Sequence, residues 1–245
     1  MTARKKILIY IPARSGSQRI PNKNARKFLG RPLIAYTIEQ AISLRLKGCS
    51  TRVIVDTDSS LIANIALRYG AEVPFLRPAR LARNNSQIID SILYTLARLK
   101  KGRGYIPDYI LLLQTTSPLR ETQDIIDCWR LLRASNATTT LTVCPTEPKF
   151  YNLDKDNNII LVNGSEEQSS NVQDWKPGYI LNGCFVYFVE TQALIEEKKV
   201  VTKNTKALIC PKWRSIDLDN PEDWVLAEII YKNRARIKNR VRRFS

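Results

Sequence analysis

Arg14, Arg19 and Lys23 fall in one short stretch, Ala13-Arg14-Ser15-Gly16-Ser17-Gln18-Arg19-Ile20-Pro21-Asn22-Lys23-Asn24, with hydroxyls at Ser15 and Ser17. Cations, hydroxyls and a glycine that lets the backbone come close are the groups that hold an anion. The stretch is neither GxxxxGK[S/T] nor GxGxxG, since Gly16 is its single glycine. Near the other end of the chain stands Asp217-Leu218-Asp219. Pro221, with Asn220 before it, marks a helix start, so residues 216–219 are expected to be extended. Asp217 and Asp219 then share one face, with Ile216 and Leu218 behind them in the core. Two carboxylates on one face repel unless a cation joins them, and oxygen-only ligation suits Mg²⁺. A third polar cluster, Gln114-Thr115-Thr116-Ser117-Pro118-Leu119-Arg120, directly follows the most apolar run of the chain, residues 109–113. Its alternative reading is a helix cap at Thr116 and Ser117.

Composition narrows the chemistry. The chain has 245 residues and a net charge of +16, which favours an anionic partner: a polyphosphate nucleotide, nucleic acid or an acidic surface. With no histidine, histidine-based catalysis and histidine metal sites are excluded. Five scattered cysteines without a CxxC read as reduced thiols of a cytoplasmic protein. The apolar run after the basic start is too short for a signal peptide, and no stretch is long and uncharged enough to cross a bilayer.

The elements that must position these groups alternate. Residues 7–11 form a strand buried on both faces, and apolar residues recur at helical spacing over about 32–46. Val53-Ile54-Val55 is a strand, and Asp56-Thr57-Asp58-Ser59 caps a helix that Gly70 stops. Residues 75–82 are loop, Ile88–Lys101 helix, 109–113 the central strand, 124–134 helix and 138–143 strand. Residues 145–180 are polar, with a hairpin turn at Asp156-Asn157-Asn158, and read as an inserted arm rather than a second domain. A strand over 184–189 follows, then the helix from Pro221 and a basic tail, 232–245, whose charges are expected to fray it. This is one α/β domain with a doubly wound, mostly parallel sheet.

The ordered set of motifs resembles the acylneuraminate cytidylyltransferase family, which makes CMP-activated nonulosonic acids. Beside the first loop, it comprises Asp56-Thr57-Asp58-Ser59, Arg77-Pro78 with Leu81-Ala82, Gln114 with Thr116–Arg120, Asn182-Gly183 and Asp217-Leu218-Asp219. The resemblance implies a Rossmann-like nucleotidyltransferase fold, a homodimer built with the 145–180 arm, and reaction of CTP with a nine-carbon 2-keto sugar acid. By that resemblance Arg14 and Lys23 hold the triphosphate, while Ala13, Ser17 and Asn24 contact the nucleotide. Arg77 and Ser86 lie on its cytidine side. Gln114, Lys149, Tyr179 and Asn182 serve the sugar acid, and Asp217 and Asp219 hold Mg²⁺. Arg14, Lys23, Gln114, Asp217 and Asp219 form the catalytic set. The base for the sugar's hydroxyl is left open between metal-bound solvent and a carboxylate.

Four positions depart from the family pattern: Gln18 for Lys, Thr115 for Pro, Asn84 for Asp and Val172 for Arg. The last removes a guanidinium near the sugar acid, for which Lys149 or Lys176 could substitute. Two alternatives stand beside this reading. One is a 3-deoxy-manno-octulosonate cytidylyltransferase, against which Asn22-Lys23-Asn24 argues. The other is a non-catalytic relative that binds RNA or acidic surfaces through the +16 charge.

Overall fold

The structure is a computed structural model and describes residues 4–147, 151–162, 176–181 and 185–244. The chain runs through β1 (Lys5–Pro12), a small ribbon of β2 (Lys27–Phe28) and β3 (Arg31–Pro32), α1 (Leu33–Ser43) and β4 (Cys49–Asp56). Next come α2 (Ser60–Arg68), α3 (Ile88–Arg103), β5 (Tyr109–Leu112), α4 (Thr122–Arg133) and β6 (Thr139–Thr146). The hairpin β7 (Tyr151–Leu153) and β8 (Ile159–Leu161) leads towards β9 (Gly178–Leu181). The rest is β10 (Tyr187–Glu190), α5 (Thr191–Glu197), β11 (Thr205–Ile209) and α6 (Pro221–Val241).

The main sheet has the order β11-β6-β10-β5-β1-β4, with β9 added beside β6. β10 and β9 pair antiparallel and the remaining ladders are parallel, as the alternation of elements requires. From β1 the chain goes to β4 on one side and later to β5 on the other. The β1/β5 boundary is therefore the switch point where an open α/β sheet leaves a crevice at its carboxyl edge.

β1 shows why its sequence is an unbroken apolar run. Ile7, Ile9 and Ile11 pack under Ile34 and Ile38 of α1, Ile65 of α2 and Ile125 of α4. Leu8 and Tyr10 face the other way, against Ile89, Ile92 and Leu96 of α3 and Leu194 of α5. Both faces are covered, and each buried aliphatic side chain contributes roughly 1.5–3 kcal/mol. A third cluster joins Ile20, Phe28, Leu33, Leu119, Leu218 and Trp224. It ties the far end of the first loop to the start of α6.

Local chemistry sets the boundaries. Ser59 Oγ accepts from the Ile62 N–H at the start of α2, and Gly104, at φ +60°, ends α3. Asn220 and Asp223 cap α6 reciprocally, each side chain accepting the other's backbone N–H at 2.9 Å, with Pro221 in the first turn.

Three expectations are corrected. β4 begins at Cys49 rather than at Val53, because Cys49–Arg52 pair in register with Lys5–Leu8; their polar side chains hide the strand from a reading of apolar runs. Residues 216–219 are not extended: the Asp219 N–H donates to the Asp217 carbonyl and the Leu218 N–H to Thr116 O, both at 2.9 Å. Burying Leu218 completely bends the chain into that turn. The basic tail does not fray at residue 232, since α6 continues to Val241. Lys238 Nζ donates to both carboxylate oxygens of Glu121, at 3.0 and 2.9 Å, and Arg234 stacks over Tyr231. These contacts, with the good helix propensity of Lys, Arg and Ala, outweigh repulsion between well-solvated charges.

Of the expected arm, residues 148–150 and 163–175 lie outside the described residues, as does Val172. Asn157 takes the left-handed turn of the hairpin at φ +64°, and Asp154 accepts the N–H groups of Asp156 and Asn158.

Candidate active site

A cleft of about 400 Å³ opens at the carboxyl edge, at the β1/β5 switch point. The first loop contributes Arg14, Ser17, Gln18, Arg19, Lys23 and Asn24. The segment between α2 and α3 adds Arg77, Arg83, Asn84, Ser86 and Gln87, and the loop after β5 adds Gln114, Thr115 and Thr116. Asp219 closes the far side. Four stretches distant in sequence thus meet in one basic crevice.

The first loop is held from several directions. The Asn24 amide donates to Arg14 O at 2.9 Å and its oxygen accepts from the Thr115 hydroxyl, so the polar cluster after β5 braces the loop. Ser15 donates to Asp58 twice, from its N–H at 2.9 Å and its hydroxyl at 2.6 Å. Burial pushes the Asp58 carboxyl up, but those bonds outweigh it and hold the group below its ordinary range. Arg14 donates from Nη1 to Asn84 Oδ1 at 2.9 Å and to Arg83 O at 3.3 Å, clamping the α2–α3 segment across the cleft.

The acidic pair comes to this loop through Lys23. Its ammonium donates to Leu218 O at 2.6 Å and lies 3.8 Å from Asp219 Oδ1, while Arg19 lies 3.3 Å from Asp219 Oδ2. Burial pushes Lys23 below the usual lysine range, against the pull of Asp219 and Asp217. Burial likewise raises Asp217, with Asp219 adding repulsion and the Thr116 hydroxyl and Lys23 opposing. Asp217 Oδ1 is buried without a hydrogen-bond partner among the described residues. An orphaned carboxylate oxygen beside a second carboxylate is a donor set that fits Mg²⁺. No cluster of three or more acidic, cysteine or histidine ligands occurs among the described residues. A cation here would complete its shell from phosphate and water, as Mg²⁺ commonly does.

Beneath the cleft lies a polar triad inside the core. Tyr10 donates its hydroxyl to Asp56, and Arg77 pairs with the same carboxylate at 2.7 Å and with Asp56 O at 3.0 Å. Burial, then the charge of Asp56, pushes the Tyr10 hydroxyl well above its ordinary range. Arg77 thus lines the cleft with its charge already matched.

The cleft gathers Arg14, Ser17, Lys23, Asn24, Arg77, Ser86, Gln114 and Asp219 of the expected residues, with Asp217 adjoining. Ala13 is buried, donates its N–H to Asp56 O at 2.9 Å, and sits between two residues of the cleft wall, Pro12 and Arg14. Tyr179 sits on β9, about half exposed, and is not part of the cleft wall. Lys149 and Asn182 lie outside the described residues, and Lys176 is exposed. Sequence reasoning missed Arg83, Gln87, Asp58 as the loop's anchor, and Asp56 as the partner of Arg77. The signal for Asp56 was present, a carboxylate at the end of an apolar strand, but its motif reads equally well as a helix cap.

Comparison with known proteins agrees with this geometry. The family model described as cytidylyltransferase matches residues 8–174. The chain is 34% identical over 227 residues to CMP-N,N'-diacetyllegionaminic acid synthase of Legionella pneumophila, covering 91% of this chain and 95% of the relative. It is 29% identical to pseudaminic acid cytidylyltransferase of Campylobacter jejuni, covering 93% and 97%. Among solved structures, CMP:2-keto-3-deoxy-manno-octonic acid synthetase complexed with CTP shares the fold at a TM-score of 0.65 and 15% identity, covering 94% of this chain and 100% of that one. The resemblance carried by the motifs is borne out, and the chain belongs to the cytidylyltransferase family.

Proposed function

We propose that this protein transfers CMP from CTP to the anomeric hydroxyl of a nonulosonic acid and releases pyrophosphate. The observation that carries the reading is the cleft itself, in which the basic first loop and the Asp217–Asp219 turn are joined by Lys23. The names of its relatives supply the substrate class.

Transfer forms a bond from the sugar hydroxyl oxygen to the α-phosphorus. It breaks the hydroxyl's O–H bond, the proton passing to solvent or a carboxylate, and the bond from that phosphorus to the bridging oxygen, which leaves with pyrophosphate. Such a reaction asks the protein for alignment and charge neutralisation rather than covalent chemistry. Arg14 and Lys23 bind the phosphate chain, Lys23 meeting the charge that builds on pyrophosphate. Asn24, Ser17 and Ser86 position the nucleotide, and Gln114 orients the sugar acid. Asp217 and Asp219 hold Mg²⁺, which when bound neutralises charge on the transferring phosphate.

The arm bears exposed apolar residues, Leu153, Ile159, Val162, Tyr179 and Leu181. That supports its burial against a second copy, with Lys149, Tyr179 and Asn182 serving a sugar pocket. Light scattering tests the dimer. Among the described residues no helix is long and apolar enough to cross a membrane. Cys49, Cys128, Cys144 and Cys210 are free, as suits a cytoplasmic enzyme.

A pyrophosphate-release assay with CTP, Mg²⁺ and a panel of nonulosonic acids tests the reaction. Turnover of at least one such acid is expected. Binding of CTP without turnover of any acid in the panel would sink the catalytic claim.

A further inference from the structure

The cations that line the cleft are Arg14, Arg19, Lys23, Arg77 and Arg83, and their charges are not equally available. Arg77 is matched by Asp56 at 2.7 Å, and Arg19 and Lys23 share Asp219 at 3.3 and 3.8 Å. Arg14 turns instead to neutral acceptors, the Asn84 carboxamide and the Arg83 carbonyl. Among the described residues no carboxylate lies within ion-pair reach of Arg14 or Arg83. Resting on the reading of the cleft as a CTP site, we propose that Arg83 is a second phosphate-binding arginine, which grips the nucleotide's phosphate chain jointly with Arg14.

The backbone supports that role. The Arg83 carbonyl accepts from Arg14 Nη1 at 3.3 Å and from the Ser86 N–H at 3.1 Å, so residue 83 is fixed at the cleft wall while its side chain stays exposed. An exposed arginine is ordinary. One that lines a cleft beside a second uncompensated guanidinium leaves a concentrated positive field, which only an anion relieves. A triphosphate brings several negative charges, more than Arg14 alone can match, and the guanidinium fork suits phosphate oxygens. Because Arg14 bonds to the Arg83 carbonyl, the two residues are held next to each other at the cleft wall, one from each border.

Titration calorimetry of wild type, Arg83→Gln and Arg83→Lys with CTP and with cytidine, at two salt concentrations, tests this. Arg83→Gln is expected to weaken CTP binding about tenfold and to flatten its salt dependence. Cytidine affinity should stay within about twofold and the lysine variant should fall between. Unchanged CTP affinity in Arg83→Gln overturns the proposal. An equal loss for cytidine also does so, by assigning Arg83 to the base or ribose. A wild type that binds no CTP overturns the reading of the cleft itself, and this proposal with it.

Discussion

The Lys23 ammonium donates to the Leu218 carbonyl at 2.6 Å, across 195 residues of sequence. That bond brings the turn of Asp217 and Asp219 onto the basic loop, so cations and metal-type ligands face one space. Leu218 is completely buried, which keeps its carbonyl from drifting. Asp219 balances part of the loop's charge through Lys23 and Arg19.

From this arrangement Asp219→Asn should cut turnover far more than CTP binding. Charge on the transferring phosphate rises in the transition state, where a metal at Asp219 would count most. A fall in kcat of roughly a hundredfold, with CTP affinity in chelator within about threefold, is expected. Steady-state kinetics beside calorimetry checks it; unchanged turnover would mean that Asp219 is structural only.

Asp58 should make the first loop sensitive to acid. Its folded-state pKa is depressed below the ordinary 3.8, despite burial, by the bonds from Ser15. The sign follows: its contribution is complete above the unfolded pKa and is lost as pH falls through the lower, folded value. Asp58→Asn should remove that acid-side loss in the strongly acidic window. At neutral pH it should raise KM for CTP by about tenfold, since two charge-assisted bonds weaken. A pH series of melting curves beside steady-state kinetics with CTP at neutral pH, wild type against variant, measures both. An unaltered KM would show that the loop holds its shape without Asp58.

Most of the scaffold was legible in the sequence, and the reason is visible in β1. A strand buried on both faces must be apolar at every position, so its pattern survives without knowledge of its neighbours. The first loop was equally plain, because glycine, hydroxyls and cations rarely crowd together after such a strand. Partner choice was not legible. Asp56 pairs with Arg77 and Asp58 anchors Ser15, yet both sit in a motif that reads as a helix cap, and Ser59 alone makes that cap. The expected extended form of 216–219 failed for a related reason, since the turn depends on a Leu218 amide reaching Thr116 O. Pairings across about twenty to a hundred residues leave no mark in local periodicity.

Arg214 and Asp124 should carry stability rather than chemistry. Their bidentate pair, with both contacts at 2.6 Å, is buried on both sides and ties α4 to the approach to Asp217. Arg214→Ala leaves a buried carboxylate without its partner, at a cost of about 3–5 kcal/mol. In a domain of this size that corresponds to a fall in Tm of roughly 6–20 °C by calorimetry. CTP affinity well below the transition should be retained. A Tm within about 2 °C of wild type would show that water enters and solvates Asp124.

The end of α6 should be dispensable for chemistry although it is ordered. Among the described residues none beyond Asp219 lines the cleft, so the basic stretch after Tyr231 does not reach substrate within its own chain. Its identified tie to the body is Lys238 to Glu121, with both side chains roughly two-fifths exposed. A pair that wet is worth under about 1 kcal/mol, and Glu121 keeps its capping place on α4 without it. Truncation after Tyr231 should therefore lower Tm by only about 2–4 °C, and CTP turnover should remain within about twofold. Melting curves and pyrophosphate release on the truncated chain measure the two effects separately. A tenfold loss of turnover with folding intact would instead place the tail at an active site.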